Sequence, residues 1–333
     1  MLSVVIPASG RGWTLEERDM PAPGAGDVLV RVLASGVCTM DVRQARGEMG
    51  YPLLVPGHEF VGEVVSLGEG VHGLATGDRV GVTWHQRWCR VCEHCVRGRL
   101  ELCKDADETG IHVDGGHAEY AVVDADSAVR IPPGLSDESA AVLLCSGYTA
   151  YSALVDTAVG PGTSVAVIGV GGIGHLALQY ACAMGAARVV AVTGSAAKAD
   201  LARELGADEV IVSDGGDFAP ALKELGQVDA AVLTSEAKGA LASAVEGLAP
   251  YGRLSVLPAT VEPVPMVLQR LLHFKLTVRG SSQGPRNRLT ETLRLHERHG
   301  LTALVDSHPL DKATDVLDRV ARREAHLRAV LVP

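Results

Sequence analysis

The chain has 333 residues, enough for two domains of ordinary size, each burying its own core. Its 30 lysines and arginines stand against 40 aspartates and glutamates, a formal charge of −10, which argues against nucleic acid or an anionic membrane as the main partner. The seven cysteines are an odd number, and the N-terminus MLSVVIPASGRGW has no basic run leading into an apolar one, so a cytoplasmic protein with free thiols is expected rather than a secreted disulfide scaffold.

Residues 1 to about 145 hold short Val-rich runs at 28–33, 61–67 and 78–82, separated by turns such as GEG and GDRV. That texture predicts a compact, mostly antiparallel β domain. Inside it lies WHQRWCRVCEHCVRGRLELC, where Cys89, Cys92, Cys95 and Cys103 follow the spacing C-x2-C-x2-C-x7-C. Four thiolates this close can turn onto one cation, and four sulfurs suit the tetrahedral, borderline-soft Zn2+. Four protein ligands leave no open position, so residues 85–104 are read as a structural zinc lobe.

From about Val159 the texture changes. Strands are predicted at 164–168, 188–192, 209–212 and 229–233, with helices at 174–184 and 196–205 between them. Such alternation predicts a parallel, doubly wound sheet. The stretch 157–187 has no charged residue, but Pro161 and its glycines interrupt it, and a buried βα unit fits better than a membrane span. After about Ser282 the chain reads as helix, loop, helix and a last strand at 328–332, expected to return to the first domain. The expected division is 1–150 with 286–333, and 151–285.

Gly169, Gly171, Gly172 and Gly174, in GVGGIG, follow the strand 164–168 and open a helix. Strand, glycine turn and helix together predict a dinucleotide site, with the pyrophosphate on the helix N-terminus. About twenty residues on, an NAD-binding chain places an acid on the ribose hydroxyls. Here Thr193 occupies that place, followed by Ser195 and Lys198. Without a carboxylate nothing repels a 2′-phosphate, and Ser195 and Lys198 can donate to it; NADP(H) is preferred, with NAD(H) still possible.

Cys38 in GVCTMD, His58 in PGHE and Cys145 in VLLCSGYT would each, taken singly, pass for core residues. Together with the cysteine lobe and GVGGIGH, in this order, they give the chain a resemblance to the zinc-dependent medium-chain dehydrogenase/reductase family over essentially its whole length. The resemblance implies an α/β protein: a GroES-like, mostly-β catalytic domain plus a doubly wound Rossmann cofactor domain. It implies two Zn2+ per chain. Cys38, His58 and Cys145 become ligands of a catalytic zinc with an open fourth position, and Glu59 an acid able to approach or replace a water there. Asp41 resembles the carboxylate that orients the histidine ligand. Thr149 and Ile173 match positions lining the nicotinamide, Arg328 a pyrophosphate contact and Trp84 a substrate-pocket aromatic. A homodimer or homotetramer acting on a small molecule is implied.

One departure matters. Family alcohol dehydrogenases usually carry Ser or Thr two residues after the first cysteine, and often His five residues after it, as a proton relay. Here these positions are Met40 and Arg43, with Thr39 adjacent. A thioether cannot donate a proton, though it adds flexible apolar volume to a pocket wall. Two readings stay open: alcohol/carbonyl chemistry on a hydrophobic substrate with another proton source, or reduction of a conjugated C=C or an iminium C=N that needs no proton at oxygen. A dinucleotide sensor without chemistry is a third, which the three zinc-ligating residues argue against.

Overall fold

The ten-residue strand Asp27–Gly36 organises the first unit. Val28, Val30 and Val32 alternate onto one buried face, as the twofold pleat requires. One edge pairs antiparallel with Phe60–Leu67; along the other, Tyr120–Asp124 takes residues 27–31, and the C-terminal strand Arg328–Val332 takes Ser35 and Gly36. Arg79–Val82 and Val129–Arg130 extend the sheet on one side, and Val305–Pro309 ends it on the other, parallel to its neighbour. A computed structural model gives these elements and describes residues 1–49, 51–214, 216–260, 263–322, 324 and 327–333.

The segment expected to be a loop between the last two helices therefore contains a strand. Its sequence, VDSHP, has no apolar alternation and ends in proline, the composition of an edge strand rather than a central one. The core of this unit packs Val28, Val30, Phe60, Val64, Val80 and Val123. Fully burying a ring such as Phe60 stabilises the fold by about 1.5–3 kcal/mol. A second cluster seats the helix Ala313–Ala321 through Val316 and Leu317 against Val4, Val37 and Leu331.

The second unit is built on six parallel strands. In spatial order they are Glu209–Val212, Arg188–Thr193, Ser164–Ile168, Val228–Leu233, Leu248–Val256 and Thr277–Gly280. Numbered along the chain this is 3-2-1-4-5-6, the doubly wound order. Val165, Ala166, Val167, Val190, Ala230 and Ala231 are buried irrespective of parity, as expected for strands covered on both faces. The last two strands have no clear signal in the sequence: LAPYGRLSV is broken by Pro250 and Gly252, and TVRG is short and largely exposed. The helix expected at 196–205 divides into a 3-10 turn, Ala196–Lys198, and an α-helix, Ala199–Glu204.

The first unit comprises Met1–Cys145, Pro285–Glu297 and Thr302–Pro333, and the second Ser146–Gly284 and Arg298–Leu301. No helix among the described residues is long and apolar enough to cross a membrane.

Candidate active site and metal centres

In the lobe, the sulfurs of Cys89, Cys92, Cys95 and Cys103 lie within 4.8 Å of one another. Cys89 Sγ is 3.9 Å from Cys95 Sγ and 3.6 Å from Cys103 Sγ. Four sulfurs at about 2.3 Å from a zinc stand about 3.8 Å apart along a tetrahedral edge, so the spacing fits the ion, whereas a disulfide would need about 2.05 Å. The amides of Cys92 and Cys95 donate to the sulfurs of Cys89 and Cys92, which favours thiolates. Burial chiefly pushes the Cys95 thiol up to about 12, while the Cys95 amide chiefly draws Cys92 down to about 7. Charge is thus shared unequally within the set, and a bound dication would favour the thiolate form of all four.

A second donor set forms inside the first unit. Cys38, His58, Glu59 and Cys145 each offer a ligand atom within 4.8 Å of the others. Cys38 lies two residues beyond the strand Asp27–Gly36 and caps the helix Thr39–Ala45; its amide donates to Asp41 Oδ2 at 2.7 Å, folding the chain into the first turn. His58 and Glu59 precede the strand Phe60–Leu67. Cys145 lies in a π-helical turn, Leu143–Gly147, whose extra residue per turn re-aims side chains, and Thr83 Oγ1 donates to the Leu144 carbonyl there at 2.7 Å.

Nε2 of His58 and Oε2 of Glu59 are buried without a hydrogen-bond partner among the described residues. Orphaned buried acceptors are costly, and two of them beside two sulfurs make a donor set suited to zinc. The hydrogen bond from Cys145 chiefly holds the Cys38 thiol well below its usual range, and His58 adds to this against the effect of burial. Cys145 moves the other way, so the first thiolate of the pair forms at Cys38. Burial pushes Glu59 up to about 8, with Arg328 opposing it. Arg328 pairs with Glu59 Oε1 and is itself buried, so the residue expected at a pyrophosphate is engaged with the acid of the metal set.

Asp41 faces His58 as expected: Oδ1 is 3.4 Å from Nδ1. Burial works against its charge, but His117 and then His58 draw its carboxyl far below the ordinary range. His117 had no place in the sequence reading. Its only signal was a histidine in the glycine-rich run DGGHAEY, which reads equally well as a turn. The Trp84 ring stands edge-on to the His58 imidazole, centroids 4.7 Å apart. Met40 is half-buried in the first turn of the helix, Thr39 is exposed, and Arg43 is paired with Glu48 at 2.9 Å.

The glycine motif lies in the second unit between Ser164–Ile168 and the helix Gly174–Ala183. Gly169 has φ +103°, a region natural only to glycine. A Cβ on Gly174 would lie 1.8 Å from the Gly169 carbonyl oxygen, whereas one on Gly171 would meet nothing within 4 Å. The third glycine therefore lets helix and turn touch, and the second leaves open space before the helix N-terminus, a cradle that fits a pyrophosphate. Ile173 and Thr149, the latter in the helix Tyr148–Asp156, are partly exposed. Thr193 ends its strand buried, its Oγ1 accepting from the Ser195 amide at 3.2 Å. Ser195 and Lys198 follow half-buried, and Lys198 has no carboxylate partner among the described residues.

Two family models match the chain: the alcohol dehydrogenase GroES-like domain over residues 24–133 and the zinc-binding dehydrogenase over residues 172–298. An alcohol dehydrogenase of Geobacillus stearothermophilus is 37% identical over 337 residues, covering 99% of each chain. The crystal structure of a protein named AibC has TM-score 0.93 and 34% identity, covering 100% of this chain and 96% of that one. A cinnamyl alcohol dehydrogenase of Sorghum bicolor has TM-score 0.89 and 30% identity, covering 99% and 96%.

Proposed function

The chain belongs to the zinc-dependent medium-chain dehydrogenase/reductase family, and from that premise we propose that it is an NADP(H)-preferring enzyme interconverting a hydrophobic alcohol and its carbonyl compound. The observation that carries this is the buried set Cys38, His58 and Cys145 with Glu59 beside it. These three would hold a catalytic zinc and Cys89, Cys92, Cys95 and Cys103 a structural one. A bound zinc supplies Lewis acidity toward a substrate oxygen, and a bound nicotinamide supplies or accepts the hydride.

The chain's own residues divide the remaining work. Asp41 holds the His58 ring in orientation, and Trp84 with Met40 gives the pocket apolar walls. The glycine turn and the helix N-terminus receive the pyrophosphate, and Thr149 and Ile173 line the nicotinamide. NADP(H) preference rests on the missing acid at Thr193 and on Ser195 and Lys198, the latter without a carboxylate partner among the described residues, which can donate to a 2′-phosphate.

A second reading is favoured by one observation. Each hydride delivered to a carbonyl needs one proton at oxygen, but the thioether of Met40 has none to give, and Arg43 is committed to Glu48. A conjugated C=C or an iminium C=N escapes that demand. A spectrophotometric screen of NADPH and NADH against aldehydes, ketones, enals and cyclic iminium salts, on zinc-loaded protein, decides between the two. Turnover of aldehydes or ketones supports the first reading. Turnover confined to enals or iminium salts supports the second, and no turnover with any of them sinks both.

We also place the enzyme in the cytoplasm, where its seven free cysteines would stay reduced. A homodimer or homotetramer is proposed on the edge of the second sheet: among the described residues Thr277–Gly280 pairs on one side only, and Val267, Leu268 and Leu272 nearby in sequence are exposed. Light scattering at working concentration giving a monomer mass would refute this.

A further inference from the structure

Behind His58 stand three more polar groups in line. Asp41 Oδ1 faces His58 Nδ1 at 3.4 Å, Asp41 Oδ2 faces His117 Nε2 at 3.5 Å, and His117 Nδ1 lies 2.8 Å from the Ser35 hydroxyl. His58 and Asp41 are 2% exposed, and His117 and Ser35 not at all. Among the described residues His117 Nε2 faces no polar group except Asp41.

The backbone holds the second imidazole in this place. Residues 115–117 run against 55–57: the Gly115 amide donates to Val55, Gly116 to Gly57 and His117 to Pro56, while Val4 donates to the His117 carbonyl. Gly57, the residue before His58, has φ +100°, and a Cβ there would come within 2.6 Å of His117 Nδ1. The turn that carries His58 and the ring of His117 therefore compete for one space, and glycine at 57 is what admits both.

Buried ring nitrogens call for polar neighbours. Here each nitrogen faces one. With the Ser35 hydroxyl donating to Nδ1, the proton of the ring sits on Nε2 and points at Asp41. Oδ2 of Asp41 then accepts from the Cys38 amide at 2.7 Å and faces His117 Nε2 at 3.5 Å, while Oδ1 faces His58. Both oxygens of the carboxylate therefore face a polar neighbour, one of them hydrogen-bonded to the Cys38 amide.

We propose that His117 is a positioning residue: it locks Asp41 between the Cys38 amide and His58 and so keeps Nε2 of His58 aimed at the metal position. This rests on the reading that Cys38, His58 and Cys145 hold a zinc. Removing a partner that touches a metal-ligating histidine typically costs 10–100-fold in metal affinity. His117 is one step further out, so an effect near the lower end, about tenfold, is expected.

The test follows zinc release from the purified holoenzyme to a chromophoric chelator, in which the lobe and the catalytic site give separate phases. Phe at 117 keeps the ring and loses both nitrogens, Gln places an amide nitrogen where Nε2 stands, and Asn places one where Nδ1 stands. His117→Phe and His117→Asn should release the catalytic zinc about tenfold faster, His117→Gln should stay within about threefold of the parent, and the lobe phase should not move. Release from His117→Phe at the parent rate, or from His117→Gln as fast as from His117→Phe, overturns the proposal. If His117→Phe yields no soluble protein, equal rates for the Asn and Gln variants overturn it. Parent enzyme showing one zinc and one phase instead defeats the underlying reading of the site, a result that no His117 variant can imitate.

Discussion

The Asp41 carboxylate lies 3.4 Å from Nδ1 of His58, and the other nitrogen of that ring is buried with no hydrogen-bond partner among the described residues, in one donor set with Cys38 and Cys145. Burial by itself would lower the His58 pKa, yet the Asp41 carboxylate and the Cys38 sulfur carry it well above the ordinary value. A dication held by Nε2 would exploit the same field that favours the protonated ring. The pairing is therefore a preformed electrostatic seat as well as a mechanical one.

Met40 sits where the family places a hydroxyl, so Met40→Thr separates the two chemical readings. If the native reaction reduces a carbonyl, the substitution should raise kcat by about tenfold or more, toward the 10²–10⁴-fold that a positioned acid can supply. If the native substrate is a conjugated alkene or an iminium ion, its turnover should stay within about threefold while carbonyl turnover rises. Steady-state rates on both substrate classes check this, and a variant that loses the native reaction without gaining carbonyl activity contradicts both branches.

Cofactor choice is predicted to depend on the positions after Thr193. Lys198→Ala should lower kcat/KM for NADPH by about tenfold and leave NADH within about twofold, since one exposed charge-assisted hydrogen bond is lost. Ser195→Asp should penalise NADPH more severely by setting a carboxylate against the 2′-phosphate. Equal effects on the two cofactors would remove the basis for NADP(H) preference.

Gly174 is a steric requirement. A methyl group there would meet the Gly169 carbonyl oxygen at 1.8 Å, and backbone cannot yield as a side chain can. Gly174→Ala should weaken dinucleotide binding by at least about tenfold, read by quenching of tryptophan fluorescence, with the zinc content unchanged. Gly171→Ala, facing open space, should fold normally and lose affinity only through its intrusion on the phosphates.

How far the sequence disclosed these arrangements depended on how local the signal was. The glycine turn was legible because strand, turn and helix are contiguous, and the strand Ser164–Ile168 appears where it was expected. The cysteine lobe was legible for the same reason. Cys38, His58 and Cys145 were not legible singly, because 20 residues separate the first two and a long stretch of chain the last two; only their combined resemblance joined them. His117 was missed since its partner, Asp41, lies on another element and no spacing rule links them. The strand Val305–Pro309 was missed because an edge strand need not alternate.

His85, at the edge of the lobe but not among its four sulfur ligands, gives a pH prediction. Burial lowers its pKa, with Glu108 opposing the shift. The unfolded chain therefore takes up this proton first as pH falls, so the stability contributed by neutral His85 is present above the ordinary histidine pKa of about 6.5 and is lost as pH falls below it. His85→Gln should flatten the difference in Tm between about pH 8 and about pH 5.5 relative to the parent. An unchanged acid-side slope would show that His85 does not titrate with folding.

The proposed chemistry requires zinc at two sites of different kind, closed by four thiolates in one and left open beside Cys38, His58 and Cys145 in the other. Metal analysis of the parent, Cys145→Ser and Cys103→Ser proteins, alongside turnover, tests it most directly. The account predicts two zinc ions in the parent, loss of one together with turnover in Cys145→Ser, and loss of one with a lowered Tm in Cys103→Ser. A parent with a single zinc, or full activity in a Cys145→Ser protein that has lost one, would contradict it.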